Sequence, residues 1–194
     1  SVDHVLCLFP SQPALLAQHG IAATYVGHPL ADAIPLEAPR SAARQSLGLS
    51  DGDQVVALLP GSRRSEIEYI APVFLQAAAR LHRQRPALRF VLPVSPGLRA
   101  LVQAMLEPHA GATPVTLLDG RSHEALAACD VTLIASGTAT LEAALFKRPM
   151  VIAYRSHWLN AMLWKRMGYL PWVGLPNILC NESVVPELLQ ADCQ

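Results

Sequence analysis

Two short segments of the sequence combine small residues with groups that bind anions. The first, LLPGSRRSE, places Gly61, Ser62 and Arg63 directly after the apolar run Val55–Leu59. Glycine permits a tight turn, the Ser62 hydroxyl can cap a helix or donate to an anion, and the planar guanidinium of Arg63 suits a phosphate. Each charged hydrogen bond of this kind contributes about 1.5–3 kcal/mol. The alternative is an ordinary helix cap beside a solvated arginine.

The second segment, IASGTATLE, follows another apolar run and opens a predicted helix with Ser136, Gly137 and Thr138. These small residues let a ligand approach the backbone, and the helix dipole favours a negative charge there. Glu142 lies about one helical turn after Thr138, where its carboxylate can accept hydrogen bonds from the hydroxyls of a ribose. The alternative is that Thr138 caps the helix and Glu142 is solvated. Further along, GLPNILCNE places Asn177 where its amide can contact a ligand or close a turn.

Composition and spacing exclude several kinds of site. Neither turn carries the GxGxxG pattern of dinucleotide binding or the lysine of a P-loop. The seven histidines form no HxxxH or HxH pair, so we expect no metal site and no resident cofactor. The formal net charge is zero, which provides no basic field for nucleic acid. Four scattered cysteines without a CxxC pair are typical of reduced thiols in a cytosolic protein.

The three tryptophans fall within one stretch of the chain, HWLNAMLWKRMGYLPW. Trp158 and Trp164 lie beside Lys165 and Arg166. Aromatic rings and long cationic side chains together suit a membrane interface or an acyl-chain groove. The alternative is a helix that packs on the sheet and leaves its basic end exposed.

Short apolar runs alternate with helical patterns along the chain. Runs such as VVALL and VTLIA are apolar on both faces, which is expected where helices cover both sides of a parallel sheet. The patterns predict strands over residues 5–9, 24–26, 55–59, 89–92, 115–118, 131–135 and 150–154. They predict helices over residues 13–19, 67–81, 98–106, 123–128, 139–145 and 158–167, with Pro72 as a kink or a late start of the second major helix. The fold class is therefore α/β, a doubly wound, Rossmann-like parallel sheet.

A cluster of prolines divides the sequence. Pro29, Pro35 and Pro39 fall within a dozen residues, and such a density disfavours regular structure. We therefore place a linker at residues 29–39, between a first part at 1–28 and a second at 40–194; the alternative is one long surface loop. The lack of an initiator Met and an end in a helical pattern suggest a piece of a longer polypeptide.

Taken together and in order, VGHPLAD, LLPGSRRSE, ASGTATLE and LPNIL followed by ELL resemble the lipid-A-disaccharide synthase family. These are glycosyltransferases of the GT-B architecture, with two Rossmann-like domains. The resemblance implies that residues 1–28 are the end of the amino-terminal acceptor domain. It also implies that residues 40–194 are the donor-binding half, a UDP-sugar-binding domain truncated at its carboxyl end.

The implied reaction is an inverting transfer of a 2,3-diacylglucosaminyl group from its UDP donor to 2,3-diacylglucosamine 1-phosphate, giving a β-1,6-linked disaccharide of lipid A. The resemblance places Arg63 on the donor diphosphate with Ser62 in support, and Glu142 on the ribose. The remaining donor-binding residues that it implies are Ser136, Gly137 and Thr138 around the diphosphate, and Asn177 beside the donor. The UDP-sugar is a substrate, the general base is expected outside this chain, and the isolated fragment is expected to be inactive.

The same resemblance gives the tryptophan-rich stretch a role in contacting acyl chains or the inner membrane. It implies a protein on the cytoplasmic side, peripherally associated with that membrane, and it is compatible with a homodimer. Two classes of alternative remain from the residues alone. One is another GT-B UDP-N-acetylglucosamine transferase or epimerase. The other is a non-enzymatic nucleotide- or protein-binding module.

Overall fold

The computed structural model describes residues 2–109, 113–155 and 171–193. The chain divides into two compact units, Ser1–Leu36 and Glu37–Gln194. None of the helices in these described ranges combines the length and apolarity that crossing a bilayer requires. All four cysteines are free thiols.

The first unit contains a two-stranded parallel sheet. Its elements are β1 (Val5–Cys7), α1 (Gln12–Ala17), β2 (Ala23–Tyr25) and α2 (Pro29–Ala33). Helix α2 lies within the proline-rich segment, where we expected no regular structure. It forms because Pro29 occupies the first helical turn, where no backbone donor is needed, and because the His28 ring accepts the Leu30 N–H at 3.2 Å.

The second unit is built on a six-stranded sheet in which every pair of neighbours is parallel. Its strands are β3 (Val55–Leu59), β4 (Arg89–Val94), β5 (Val115–Asp119), β6 (Val131–Ala135), β7 (Met150–Tyr154) and β8 (Glu187–Leu189). Its helices are α3 (Arg40–Ser46), α4 (Arg64–Gln84), α5 (Arg99–Leu106), α6 (Ser122–Ala128), α7 (Thr138–Leu145) and α8 (Leu175–Cys180). Two single 3₁₀ turns, Glu107–His109 and Gln190–Asp192, complete the described elements.

The strands lie in the order β5-β4-β3-β6-β7-β8. The chain therefore builds outward from β3 in one direction, returns, and builds outward from β6 in the other. This is the strand order of doubly wound nucleotide-binding sheets, whose ligands lie where the order reverses. The predicted fold class is confirmed, and the reversal falls between β3 and β6.

Helix α4 supplies much of the core. Ile67, Ile70 and Phe74 are at most 3% exposed and belong to the apolar cluster beneath the sheet. The helix begins at Arg64 and continues through Pro72 to Gln84, so the late start suggested by the proline is wrong. A proline in a helix interior removes one backbone hydrogen bond, and the buried apolar face of α4 outweighs that loss.

A buried arginine joins α3 to the sheet. Arg44 is completely buried and donates to the carbonyl oxygens of Ala128 and Ser50, both at 2.9 Å. It also pairs with Asp130 at 3.1 Å, and the Asp130 carboxylate accepts the Val55 N–H at 2.8 Å. Burial disfavours the charged form of Asp130, but the Val55 amide and the nearby guanidiniums together hold its pKa below the ordinary value.

Candidate functional site

The loops that follow β3 and β6 meet at one edge of the sheet. Leu59 is paired with Ile134 in the parallel register, so the two strands end within one residue of each other. Between the loops lies a cleft of about 500 Å³, a volume typical of small-molecule sites. Six of the seven predicted donor-binding residues line this cleft: Ser62, Arg63, Ser136, Gly137, Thr138 and Glu142.

The far side of the cleft was not predicted. It is formed by residues that follow β4 and β5, namely Ser95, Pro96, Gly120 and Ser122. Each lies within three residues of the carboxyl end of a parallel strand, which is where such sheets bind ligands. The same rule that selected the first two loops would therefore have found these residues as well.

The loop after β6 presents backbone donors. Gly137 is the N-cap of α7 with a φ of 150°, so the alternative in which Thr138 caps the helix is wrong. Within the described ranges, no group accepts a hydrogen bond from the backbone N–H of Gly137, Thr138 or Ala139. The Ser136 hydroxyl is already used, because it donates to the carbonyl of Val173 at 2.7 Å. The loop after β6 therefore forms one wall of the cleft, the amide wall, which presents backbone N–H groups at the N-terminus of α7. This arrangement favours binding of an anion.

The loop after β3 is organised by a carboxylate. Arg63, rather than Ser62, is the N-cap of α4. Glu66 Oε2 accepts the backbone N–H groups of Ser62 at 2.9 Å and Arg63 at 3.2 Å, while Oε1 accepts Arg63 Nη1 at 2.8 Å. The Arg63 side chain is 79% exposed. Glu66 was not predicted, because a capping box is recognised in a sequence by Ser, Thr, Asp or Asn at the N-cap, and the N-cap here is Arg63.

Gly61 is required by this carboxylate. Its φ is 117°, and a Cβ built on it would lie 2.5 Å from Glu66 Oε2 and 2.6 Å from Glu66 Cβ. An L-residue would be strained by the backbone conformation and would also collide with Glu66. The turn is therefore shaped around the glutamate.

Glu142 lies on the first turns of α7 and faces the cleft. Its side chain is only 19% exposed, which does not fit the alternative of a solvated helix residue. Its Oε1 lies 3.6 Å from His123 Nε2, too far for a direct hydrogen bond, and the His123 ring packs edge-on against Phe146. The carboxylate can therefore accept hydrogen bonds from a ligand in the cleft.

Asn177 is not among the residues that line the cleft. It is fully buried, and its amide nitrogen donates to Val185 O at 2.9 Å and to Glu187 Oε1 at 2.8 Å. Its amide oxygen accepts the backbone N–H groups of Val184 and Val185 at 2.8 and 2.9 Å. The side chain therefore braces the connection between α8 and β8, and its place beside a donor stays a prediction.

Two further predictions concern residues or groups elsewhere. Trp158, Trp164, Lys165 and Arg166, with the predicted helix 158–167, lie outside the described residues. In the part of the chain that the structure describes, no three His, Cys, Asp or Glu side chains are grouped as metal ligands.

Comparison with known families identifies similar sequences. A family model described as LpxB, lipid-A-disaccharide synthetase, matches residues 1–194. The lipid-A-disaccharide synthase of Albidiferax ferrireducens is 63% identical over 190 residues, which are 98% of this chain and 49% of that protein. The chain spans about half the length of the curated relatives it matches.

Solved structures show a similar fold at low sequence identity. The S. aureus MnaA-UDP co-structure aligns with a TM-score of 0.60 and 15% identity, over 93% of this chain and 51% of that one. WaaG, described as a glycosyltransferase involved in lipopolysaccharide biosynthesis, aligns with a TM-score of 0.58 and 17% identity, over 95% of this chain and 48% of that one. This likeness shows the fold, a Rossmann-like domain of the GT-B type.

Proposed function

The chain belongs to the lipid-A-disaccharide synthetase family, and from that membership we propose that it forms the UDP-sugar-binding part of a glycosyltransferase. The proposed reaction transfers a 2,3-diacylglucosaminyl group from its UDP donor to 2,3-diacylglucosamine 1-phosphate. The products are the β-1,6-linked disaccharide of lipid A and UDP, with inversion at the anomeric carbon. Family membership favours this reaction over a different UDP-sugar transferase, an epimerase or a non-enzymatic module.

One observation carries the proposal. Two loops that are distant in the sequence line a single cleft at the point where the strand order reverses. One loop contributes the Arg63 guanidinium, and the other contributes the backbone N–H groups of Gly137 and Thr138, for which the described residues provide no acceptor. A guanidinium and a helix N-terminus that share one cleft suit a ligand with two adjacent phosphates.

In the proposed reaction the hydroxyl oxygen of the acceptor attacks the anomeric carbon of the donor. The bond from that carbon to the diphosphate oxygen breaks, and its electron pair leaves with UDP. Arg63 and the amides of the α7 N-terminus stabilise the negative charge that develops on UDP. Glu142 accepts hydrogen bonds from the ribose hydroxyls. The acceptor proton passes to a general base, which we place outside this chain.

Calorimetric titration with UDP tests the site. Arg63→Ala is expected to weaken UDP binding about 5- to 30-fold, because a charge-assisted contact to phosphate of about 1.5–3 kcal/mol is lost while the exposed pair with Glu66 contributes less than about 1 kcal/mol. Arg64→Ala is the matched control, since Arg64 pairs with Glu68 and does not line the cleft. Its UDP affinity should stay within about twofold of the unaltered chain, well below one tenfold step of 1.4 kcal/mol.

The ribose contact is tested with a modified ligand. Glu142→Ala is expected to weaken binding of UDP but to leave the binding of 2′,3′-dideoxyuridine diphosphate unchanged, since that ligand lacks both hydroxyls. UDP affinity that is unchanged in Arg63→Ala and also in Glu142→Ala would reject the site.

A second part of the proposal concerns the tryptophan-rich stretch. We propose that Trp158, Trp164, Lys165 and Arg166 contact the acyl chains of the substrates or the cytoplasmic surface of the inner membrane. The composition of the stretch supports this, because aromatic rings and cationic side chains favour a headgroup boundary. Flotation with anionic phospholipid vesicles should show reduced binding for Trp158→Ser with Trp164→Ser. Flotation equal to that of the unaltered chain would count against lipid contact.

A further inference from the structure

The loop after β3 already holds an anion of its own. The Glu66 carboxylate accepts two backbone N–H groups and the Arg63 guanidinium at 2.8–3.2 Å. A phosphate oxygen that used this loop would need the same donors, because carboxylates and phosphates are bound by the same N–H and guanidinium groups. Gly61 has no space for a Cβ beside Glu66, so the carboxylate belongs to the design of the turn.

The charged side chains that line the cleft affect how well it can bind a diphosphate. Among the described residues that line the cleft, Arg63 is the one cation, and two carboxylates, Glu66 and Glu142, line it as well. In the part of the cleft lining that the structure describes, a diphosphate therefore meets one more negative than positive side-chain charge. A diphosphate is attracted by the Arg63 guanidinium and by the backbone amides at the N-terminus of α7. The Arg63 guanidinium, however, is already bonded to the Glu66 carboxylate.

We propose that Glu66 is an intramolecular competitor of the donor diphosphate. This inference rests on the proposed function. When the UDP-sugar binds, its diphosphate takes the Arg63 guanidinium from Glu66. When the sugar has been transferred, the carboxylate returns to Arg63 and to the loop amides, and this return promotes release of UDP. Glu66 thus determines how tightly the site holds both the donor and the nucleotide product.

Calorimetry on the chain with the substitution Glu66→Gln tests the proposal. Glutamine keeps the shape of the side chain and is tolerated at this position of a capping box, but it carries no charge. We expect UDP to bind about tenfold more tightly than to the unaltered chain, which corresponds to about 1.4 kcal/mol. Uridine should bind the two chains equally, because it carries no phosphate. The gain for UDP should shrink as salt is added.

Glu68→Gln is the matched control. It removes the same charge from the same helix two residues further on, where Glu68 pairs with Arg64 at 3.6 Å and does not line the cleft. UDP affinity in this variant should stay within about twofold of that of the unaltered chain. In free energy this is less than a third of the change expected for Glu66→Gln. An equal gain in both variants would show that only the overall charge matters, and it would overturn the proposal.

A measurement on the unaltered chain removes the dependence on variants. Nuclear magnetic resonance should show that UDP shifts the backbone amide signals of Ser62 and Arg63, whereas uridine leaves them in place. Binding of UDP without these shifts, or binding by Glu66→Gln no tighter than that of the unaltered chain, overturns the inference and leaves the proposed function standing. Failure of UDP to bind the unaltered chain and Glu66→Gln alike rejects the proposed function and the inference together.

Discussion

The substitution Gly61→Ala tests how the loop after β3 is built. The new Cβ would lie 2.5 Å from Glu66 Oε2 and 2.6 Å from Glu66 Cβ, on a backbone whose φ is 117°. Rotation of the glutamate can relieve the first contact but not the second. The N-terminal end of α4 must therefore shift, and the hydrogen bonds from Glu66 to the loop are weakened or lost.

The size of the effect follows from two terms. A non-glycine residue in a sparsely populated backbone region costs about 1–3 kcal/mol, and loss of a helix cap costs about 0.5–2 kcal/mol. Because the two terms act on the same turn, we expect a loss of about 2–4 kcal/mol in the free energy of unfolding. Urea denaturation followed by circular dichroism measures this loss.

Substitutions at two other glycines distinguish the cost of backbone strain from the cost of the collision with Glu66. Gly137 has a φ of 150°, and no atom of the described residues lies within 4 Å of the point that an added methyl group would occupy, whereas Gly52 has neither a positive φ nor such a neighbour. Gly52→Ala should therefore cost nothing, Gly137→Ala only the backbone strain, and Gly61→Ala the strain and the collision. In a double-mutant cycle, Glu66→Gly should remove the collision with the new methyl group. The loss in the free energy of unfolding of the double variant should therefore be at least about 1 kcal/mol smaller than the sum of the losses of the two single variants. A Gly61→Ala variant as stable as Gly137→Ala would refute this reasoning.

Three further predictions concern stability. Arg44→Met should lower the free energy of unfolding by about 2–5 kcal/mol, because the carbonyls of Ala128 and Asp51 lose their donor, at about 1–3 kcal/mol each. Arg40→Met, at a side chain that is 37% exposed, should cost under about 1 kcal/mol. Similar losses in the two variants would contradict the structural role of Arg44. The pKa of Asp130 is lowered in the folded chain, so its stabilising contribution is present above the ordinary pKa of 3.8 and is lost as the pH falls through the folded value. Asp130→Asn should therefore reduce the fall in the free energy of unfolding at low pH, as measured by urea denaturation at several pH values. An unchanged fall would show that other groups produce it. Asn177→Leu should cost about 2 kcal/mol or more, because it leaves the backbone N–H and the carbonyl of Val185 unpaired, at about 1–3 kcal/mol each. A loss below about 1 kcal/mol would mean that water replaces the side chain.

The central strands could be predicted with correct bounds. Residues 55–59, 131–135 and 150–154 are short apolar runs flanked by turn residues, and they form β3, β6 and β7 with those limits. Burial on both faces dictates such a composition, so the signal is local. Strand β8 and helices α2, α3 and α8 were not predicted. The prolines in the first turns of α2 and α8 indicated turns instead of helices, and β8 contains only three residues.

The candidate site was predicted in part. The positions of Arg63 and Gly137 after apolar strands were enough to place both loops at the carboxyl edge of the sheet, because parallel strands bring their carboxyl ends together. The role of Glu66 could not be read in the same way, since it depends on a side chain that folds back onto its own loop. Asn177 shows a second limit of the sequence, which does not reveal that all four of its hydrogen bonds are made within the chain.

The reversal of strand order between β3 and β6 separates two tasks that many binding sites combine in one segment. The Arg63 side chain, which carries a charge, lies on the connection after β3. The backbone amides at the start of α7 lie on the connection after β6, more than seventy residues later in the chain. The two walls can therefore be altered independently. The side-chain charges at residues 61–66 can be changed while the backbone amides at the start of α7 are retained unaltered.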